Sequence, residues 1–340
     1  MDVQMAHRVA DYGEEAWNVL SQRRPFASYR WYRYGEAVLA NDRPLYVLVK
    51  HHGEAIARAT FWLTRDEPLP IPSTAARTLM EAAFRRWPLL LCRTPLASRS
   101  GLTLPEDRAL REGALQAITE AAQDYSRQHG VSFLIFDYLE PSEISPPGFT
   151  PFEMPDVGTA LHISWLNFED FVQQLGKSAR KDYHRHCNRA AELGIQIKTQ
   201  AQIGNLDEAI ALIQNVERRH QTPPNRRTRR ALEHAHMVDA TWLTAEIQGR
   251  MVGCGVLLGD GDTRALAFLG LDYNVQYVYF QMMYAAIGCA IESGVKVLWG
   301  GTGAYEFKQR LGFQPIHNQH IAFTATNRLV GRAVRYLTAS

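Results

Sequence analysis

The chain has 340 residues, 46% of them apolar and 21% charged, with a formal net charge of +2. That composition is that of a soluble globular protein, with length for two hydrophobic cores, and the net charge alone says little. Met1-Asp2-Val3-Gln4 opens no basic-then-apolar leader, and the longest apolar run, Tyr277 to Ile291, is too short and interrupted to cross a bilayer. The expectation is therefore a cytoplasmic protein without an integral membrane segment. Cys92, Cys187, Cys254 and Cys289 are scattered and read as reduced thiols.

In chain order, helical segments near Glu14–Leu20 and Tyr29–Leu39 precede a strand at Tyr46–Lys50. A turn at His52-Gly53-Glu54 leads into a second strand, Ala55–Leu63. A proline-rich linker follows, then a short buried strand, Leu89–Cys92. A long helix from about Glu106 to His129 stops at Gly130, and Ser132–Asp137 is the next strand. Pro141–Pro151 reads as a boundary between domains. A basic helix then runs from Gly176 to Gly194. Beyond it the first pattern returns: helices near Asp207–His220 and Arg226–His236, then strands at Trp242–Ile247, Met251–Leu258 and Arg264–Leu271. The helix Tyr277–Glu292 stops at Gly294, the strand Val295–Trp299 follows, and a glycine turn enters a last helix over Tyr305–Leu311. This order predicts a duplicated mixed α/β architecture, with domains at residues 1–150 and 151–340 and an extra basic helix at 177–193.

Charge is unevenly spread. Lys177 to Arg230 holds twelve Lys/Arg against five Asp/Glu, a local excess of seven positive charges. Lys177, Lys181, Arg185 and Arg189 fall four apart and form a stripe along one helix face, with Arg180 beside it. Such a stripe suits a polyanion such as tRNA; a solvated helical face is the alternative. His184, His186 and Cys187 diverge around their helix, and His220, His234 and His236 are no better ordered, so no metal is expected.

Three pieces in this order carry a family resemblance: Leu175-Gly176-Lys177-Ser178-Ala179-Arg180-Lys181-Asp182 with Ala191-Glu192-Leu193-Gly194-Ile195, then Gly270-Leu271-Asp272-Tyr273, then Tyr305-Glu306-Phe307-Lys308-Gln309-Arg310-Leu311-Gly312-Phe313. They resemble the FemABX-like tandem-GNAT acyltransferases. The resemblance implies two GNAT-like domains with mixed sheets packed around a cleft. It further implies transfer of an aminoacyl group from aminoacyl-tRNA to an amine, on a peptidoglycan precursor or a small natural-product amine or hydroxylamine. By motif, the family's phosphate- and transition-state-binding lysine falls on Lys308. Coenzyme-A-dependent GNAT proteins resemble one another in a glycine-rich pyrophosphate loop. Here the equivalent is Tyr273-Asn274-Val275-Gln276-Tyr277-Val278-Tyr279-Phe280, without glycine, and in the first half Arg93–Leu102 has one glycine. Aminoacyl-tRNA as co-substrate, with no further cofactor, is thus favoured over acyl-CoA.

The chemistry needs a free amine, a stabilised oxyanion and a path for a proton. Lys308 is the candidate electrophilic stabiliser, against the reading of a surface lysine on a capped helix. Asp272, ending a central strand, is a candidate base or a turn-forming residue. Tyr305 and Arg310 are candidate phosphate contacts beside Lys308. Tyr273 and Tyr277 are candidate substrate contacts; Tyr277, Tyr279, Phe280 and Tyr284 line an acceptor pocket or are core. Asp137, ending a strand of the first domain, is a second candidate base. The alternatives to aminoacyl transfer are an acyl-CoA-dependent N-acyltransferase and a non-catalytic tRNA- or nucleotide-binding protein on the same fold.

Overall fold

The computed structural model describes residues 1–21, 24–67, 74–140, 143, 145–153, 158–316 and 319–326, except the side chains of 74–77, 79 and 80. The chain divides into two compact units, Met1–Pro155 with Asn318–Ser340, and Asp156–His317.

The first unit comprises β1 (Asp2–Ala6), α1 (Glu14–Val19), α2 (Tyr29–Val38), β2 (Arg43–His51), β3 (Glu54–Thr64), α3 (Thr74–Arg86), β4 (Leu89–Cys92), β5 (Leu102–Thr103), α4 (Arg108–His129), β6 (Phe133–Leu139) and β7 (Thr150–Glu153). The second comprises β8 (Thr159–His162), α5 (Phe168–Gln174), α6 (Lys177–Glu192), β9 (Gln196–Gln200), α7 (Leu206–Arg219), α8 (Thr228–Glu233), β10 (Asp239–Ile247), β11 (Arg250–Asp260), β12 (Thr263–Leu271), α9 (Val278–Glu292), β13 (Val297–Gly301), α10 (Tyr305–Arg310) and β14 (Gln314–Pro315). The last strand, β15 (His320–Ala325), belongs to the first unit. No helix among the described residues is long and apolar enough to cross a membrane.

Local chemistry explains the helix starts. Ser28, Asp107 and Asn205 each accept a hydrogen bond from the backbone N–H three residues on, at the heads of α2, α4 and α7. The proline-rich segment expected as a linker contains a helix, α3; residues 68–73 of that segment lie outside the described residues.

Each unit has one mixed sheet. The first runs β1-β2-β3-β4-β6-β15-β7 with β5 beside β3; the second runs β14-β8-β13-β12-β11-β10-β9. In both, an antiparallel meander reaches a strand that feeds a long helix, and the next strand returns parallel to it: β4 with β6, and β12 with β13. β15 lies between β6 and β7, and β8 lies between β13 and β14. The first sheet thus takes a strand from the far end of the chain, whereas β8 is the opening strand of the second unit itself. The expected division at 150/151 is corrected in one respect: the segment after His317 returns to the first unit.

The first core gathers Val47, Phe61, Leu90, Ile118 and Phe136, all at most 1% exposed, from the sheet and α4. In the second, α9 is apolar around most of its circumference, as a helix enclosed by protein must be. Neighbouring residues of β11 point to opposite faces. Cys254 Sγ donates to Ala209 O of α7, at 3.5 Å, on one face; Gly253 underlies Val278 and Met282 of α9 on the other. A Cβ at Gly253 would collide with Val278 Cγ1, so the missing side chain lets the start of α9 lie directly on the sheet. That contact sets where the loop between β12 and α9 can run.

Candidate active site

All the geometry that follows belongs to the second unit, apart from Asp137. β12 pairs with β13 through Thr263–Ala265 and Val297–Trp299, while β12 continues to Leu271 paired with β11. Parallel strands that separate in this way open the sheet at their carboxyl ends, where substrates meet open α/β sheets. Phe268 sits in the left-handed region, φ 52°, beside an irregularity in the β11–β12 register.

From the end of β12 the chain turns on Asp272. Its Oδ1 accepts from Asn274 N at 3.0 Å, its backbone N–H donates to Val252 O at 2.9 Å, and Val275 N donates to Asp272 O at 3.0 Å. The other carboxylate oxygen accepts from Arg250 Nη1 at 2.8 Å. Hydrogen bonding to Arg250, with help from Asn274, holds this carboxyl below the usual aspartate range. Of the two roles expected for Asp272, the turn is the one its contacts fill, and a carboxylate so stabilised is a poor proton acceptor. The loop ends at Tyr277, left-handed at φ 68° and lacking a side-chain cap for α9. A cavity of about 350 Å³ lies along this loop, lined among others by Asp272, Tyr273, Tyr277, Tyr279 and Phe280. Tyr273 is 46% exposed, and the guanidinium of Arg219, at the end of α7, stands 5.6 Å from its ring centroid.

Lys308 lies on α10. The helix expected over Tyr305–Leu311 ends one residue earlier, at Arg310; it has six residues, fewer than two turns, and no side-chain cap. Its contribution to anion binding through a helix dipole is accordingly small, and the ammonium is the principal charge here. The surface reading of Lys308 does not hold, since it is 3% exposed. Its Nζ donates to Thr302 O at 2.9 Å and Gly301 O at 3.1 Å, carbonyls of the glycine turn after β13. Gly301 and Gly303 have φ of 67° and 76°, values that suit glycine and let the turn fold around the ammonium. No carboxylate pairs with Lys308 among the described residues, and burial pulls its pKa down to about 8. It is a buried cation two-thirds satisfied by neutral carbonyls.

Helix α6 packs against this region through aromatic contacts. His186, 5% exposed, stacks on Phe280 with centroids 3.9 Å apart and meets Tyr284 Oη through Nδ1 at 2.9 Å. Phe280 in turn meets Phe307 of α10 edge-on at 4.8 Å. Burial, then the neighbouring Arg185, lowers the pKa of His186, favouring the neutral ring. Asp182 joins two elements, pairing with Arg185 at 2.8 Å and with Arg310 of α10 at 3.2 Å.

The structure thus brings Tyr273 and Tyr277 to one cavity with Asp272, and places Tyr305, Arg310 and Lys308 on one short helix joined to α6. Along α6, Lys177, Lys181, Arg185 and Arg189 are exposed and Arg180 is half-buried. Arg185 is offset by Asp182 and Arg189 by Glu192, and Arg180 donates to Gln173 O. Lys177 and Lys181 have no ion pair among the described residues. Asp137 belongs to the first unit, where Arg93 bridges it, at 3.3 Å, to Glu67 at 2.5 Å. Burial raises its pKa, partly offset by Arg93. Arg219 and His186 were missed as site residues. Arg219 lies within the basic segment but carries no motif; His186 was weighed solely as a metal ligand, and its aromatic partners lie roughly a hundred residues away.

A family model described as FemAB-like, peptidoglycan biosynthesis/recognition, matches residues 8–340. A comparison with curated protein sequences finds no match. Among solved structures, the fold is similar to FemX, with TM-score 0.64 and 11% identity over 95% of this chain and 97% of that one. It is also similar to a tandem GNAT protein from the clavulanic acid biosynthesis pathway, with TM-score 0.57 and 12% identity over 96% and 99%. A third is the C-terminal domain of a putative lysylphosphatidylglycerol synthetase from Agrobacterium fabrum, with TM-score 0.55 and 11% identity over 95% of each chain. At these identities the structures speak to fold: both units are GNAT-like, each with a mixed sheet.

Proposed function

The chain belongs to the FemAB-like family, and on that footing we propose that it is an acyltransferase that moves an aminoacyl group from aminoacyl-tRNA to an amine acceptor. Family and fold support acyl transfer. The observation that carries the assignment of the site is Lys308, a buried ammonium with neutral carbonyl partners and no carboxylate among the described residues. Keeping a cation out of water without a counterion is costly, and an anionic ligand or developing oxyanion relieves that cost.

In the proposed reaction the amine nitrogen attacks the ester carbonyl and a C–N bond forms. The oxyanion, or the phosphate next to the scissile ester, is stabilised by Lys308. The C–O bond to the ribose then breaks, the amine gives up its proton and the ribose oxygen takes one. Tyr305, three residues before Lys308, is the phosphate contact on its face of the helix, and Arg310, two residues after it, points elsewhere and pairs with Asp182; Tyr273 and Tyr277 line the substrate cavity, and Asp272 holds the loop that shapes it. Lys177, Arg180, Lys181, Arg185 and Arg189 supply the backbone contacts to tRNA. The loop from Tyr273 to Phe280 supports tRNA over acyl-CoA, because bulky rings occupy positions where a pyrophosphate loop needs bare backbone.

The test incubates the protein with charged tRNA or with acyl-CoA, each with a peptidoglycan precursor or a small amine, and follows the acyl label. Label transfer from charged tRNA that fails in Lys308→Ala is expected. Transfer from acyl-CoA alone would replace this reading with a coenzyme-dependent one.

A further inference from the structure

We propose that Asp182 is a positioning residue for Lys308: it ties the short helix that carries the lysine to the basic helix α6, so that a polyanion seated on α6 and the reacting ammonium are held in one frame. The role rests on the tRNA-dependent reading above and falls to a residue that touches neither donor nor acceptor.

Helix α10 is weakly held by its own bonds. It has six residues and no side-chain cap, and it starts from Ala304 in the left-handed region, at φ 48°. So short a helix is not stable alone, and contacts to its neighbours set its position. Leu311 and Phe313, just beyond its last turn, are buried in the core and anchor that end. Two lateral contacts fix the rest. Phe307 meets Phe280 of α9 edge-on, and Arg310 Nη1 donates to Asp182 Oδ2 at 3.2 Å. Lys308 lies between these two residues in the chain, so a shift of either contact moves its ammonium against the glycine turn.

Helix α6 offers a matching face. Ala179, Asp182, His186 and Ala190 recur at intervals of three and four and so lie on one side of it. Ala179, His186 and Ala190 are buried there. The Asp182 side chain is 20% exposed, against 59% and 60% for Arg185 and Arg310. Its oxygens are divided between them: Oδ1 pairs with Arg185 Nη2 at 2.8 Å, and Oδ2 with Arg310. Arg185 is also a member of the outward stripe, and its Nη2 stands 3.5 Å from His186 Nε2. A phosphate that takes Arg185 satisfies the guanidinium from outside and leaves the Asp182 carboxylate to Arg310, which tightens the tie between α6 and α10. Ion pairs at a surface contribute little to stability. Placement is another matter, because rate falls steeply when a catalytic group is displaced.

The test compares Asp182→Ala with the wild type in the full chain. Single-turnover rates use saturating charged tRNA, and affinities use uncharged tRNA. The variant should melt close to the wild type. Its tRNA affinity should hold or rise, since a negative charge leaves the stripe and Arg185 is released to phosphate. Its rate should nonetheless fall roughly 10- to 100-fold, the upper figure being the cost of a misplacement of about 1 Å. Asp182→Glu, which can still reach Arg310, should recover most of the loss. In the Lys308→Ala background, Asp182→Ala should cost less than about 2-fold further, because residues that act through one group are not additive. A carboxylate that serves the fold alone would cost the same in both backgrounds. A wild-type rate in Asp182→Ala, a loss confined to tRNA affinity, or full additivity with Lys308→Ala would each overturn the proposal and leave transfer from charged tRNA standing. Failure of the wild-type chain to transfer from charged tRNA would overturn both.

Discussion

Replacing Lys308 by methionine separates the chemical role of the ammonium from its role as a strut. The pKa of Lys308 is lowered from 10.5 to about 8 by burial. The drop corresponds to a cost on the order of 3 kcal/mol for keeping the charge in the folded protein below pH 8. Lys308→Met removes that cost and keeps an unbranched apolar stem one atom shorter than lysine's. It also removes a donor from Thr302 O and Gly301 O. Gly301 O retains Thr159 Oγ1 at 2.8 Å, and Thr302 lies in an exposed turn where water can replace the lysine. The loss there is at the low end of the roughly 1–3 kcal/mol for an orphaned group. Stability at pH 7 should therefore stay level or rise by about 1–2 kcal/mol. Turnover should fall about 100- to 1000-fold, as when one oxyanion donor is removed. The sign with pH is also fixed. Between about pH 8 and 10.5 the unfolded chain holds a proton on this lysine that the folded chain has lost, so wild-type stability gains from this group as pH rises through that window. The methionine variant should lack that gain. Denaturant melts at pH 7 and pH 10, with single-turnover rates on the same preparations, measure both. A folded variant that is destabilised by more than about 2 kcal/mol yet turns over normally would refute the reasoning, leaving Lys308 as a clamp on the glycine turn.

Other outcomes follow from particular contacts. Asp272→Asn keeps the acceptor that forms the turn, so turnover should fall by less than about 10-fold; a loss in the 100- to 10,000-fold range of a missing general base would return Asp272 to that role. Lys177→Ala with Lys181→Ala removes two cations from the α6 stripe, and the slope of log affinity against log salt for tRNA should shrink by roughly 1 to 2, with an unchanged slope placing the RNA elsewhere. Gly253→Ala drives a methyl into Val278, with Ala245 Cβ 3.3 Å away on another side; the expected cost is about 1–3 kcal/mol, visible as a lower melting temperature, and an unaltered melt would show that α9 can shift freely. Ending the chain at His317 deletes β15, which bonds to both β6 and β7 and buries Ala322 completely. The first unit should then lose its cooperative melt, and a truncated chain that melts like the full one would contradict the placement of β15 inside the first sheet.

The sequence by itself determined the order of elements wherever local pattern governs. Leu89–Cys92 was predicted with its observed bounds, α4 and α9 within two residues, and the boundary segment ends close to the observed division at Pro155. These elements are specified by runs and periods of apolar residues, which act within a few residues of themselves. The motif carrying Lys308 was legible for the same reason. Tertiary structure alone decided what depends on distant partners. β15 is short and only partly apolar, and nothing in its segment says that its pairing edges lie in the sheet of the first unit. The residues leave Asp272 open as a base or a turn former, and Arg250, twenty-two residues earlier, lies on its carboxylate only in the folded chain. Arg219 meets the ring of Tyr273, and His186 meets rings from α9 and α10, across separations that no local pattern reports. Even the burial of Lys308 was hidden, since a lone lysine in a polar helix reads as exposed. It is buried because Leu311 and Phe313 anchor the end of its helix in the core, while the turn at Gly301–Gly303 supplies carbonyls that let an ammonium stay there. Side-chain environment is set by the sum of contacts from far along the chain, and no local pattern encodes that sum.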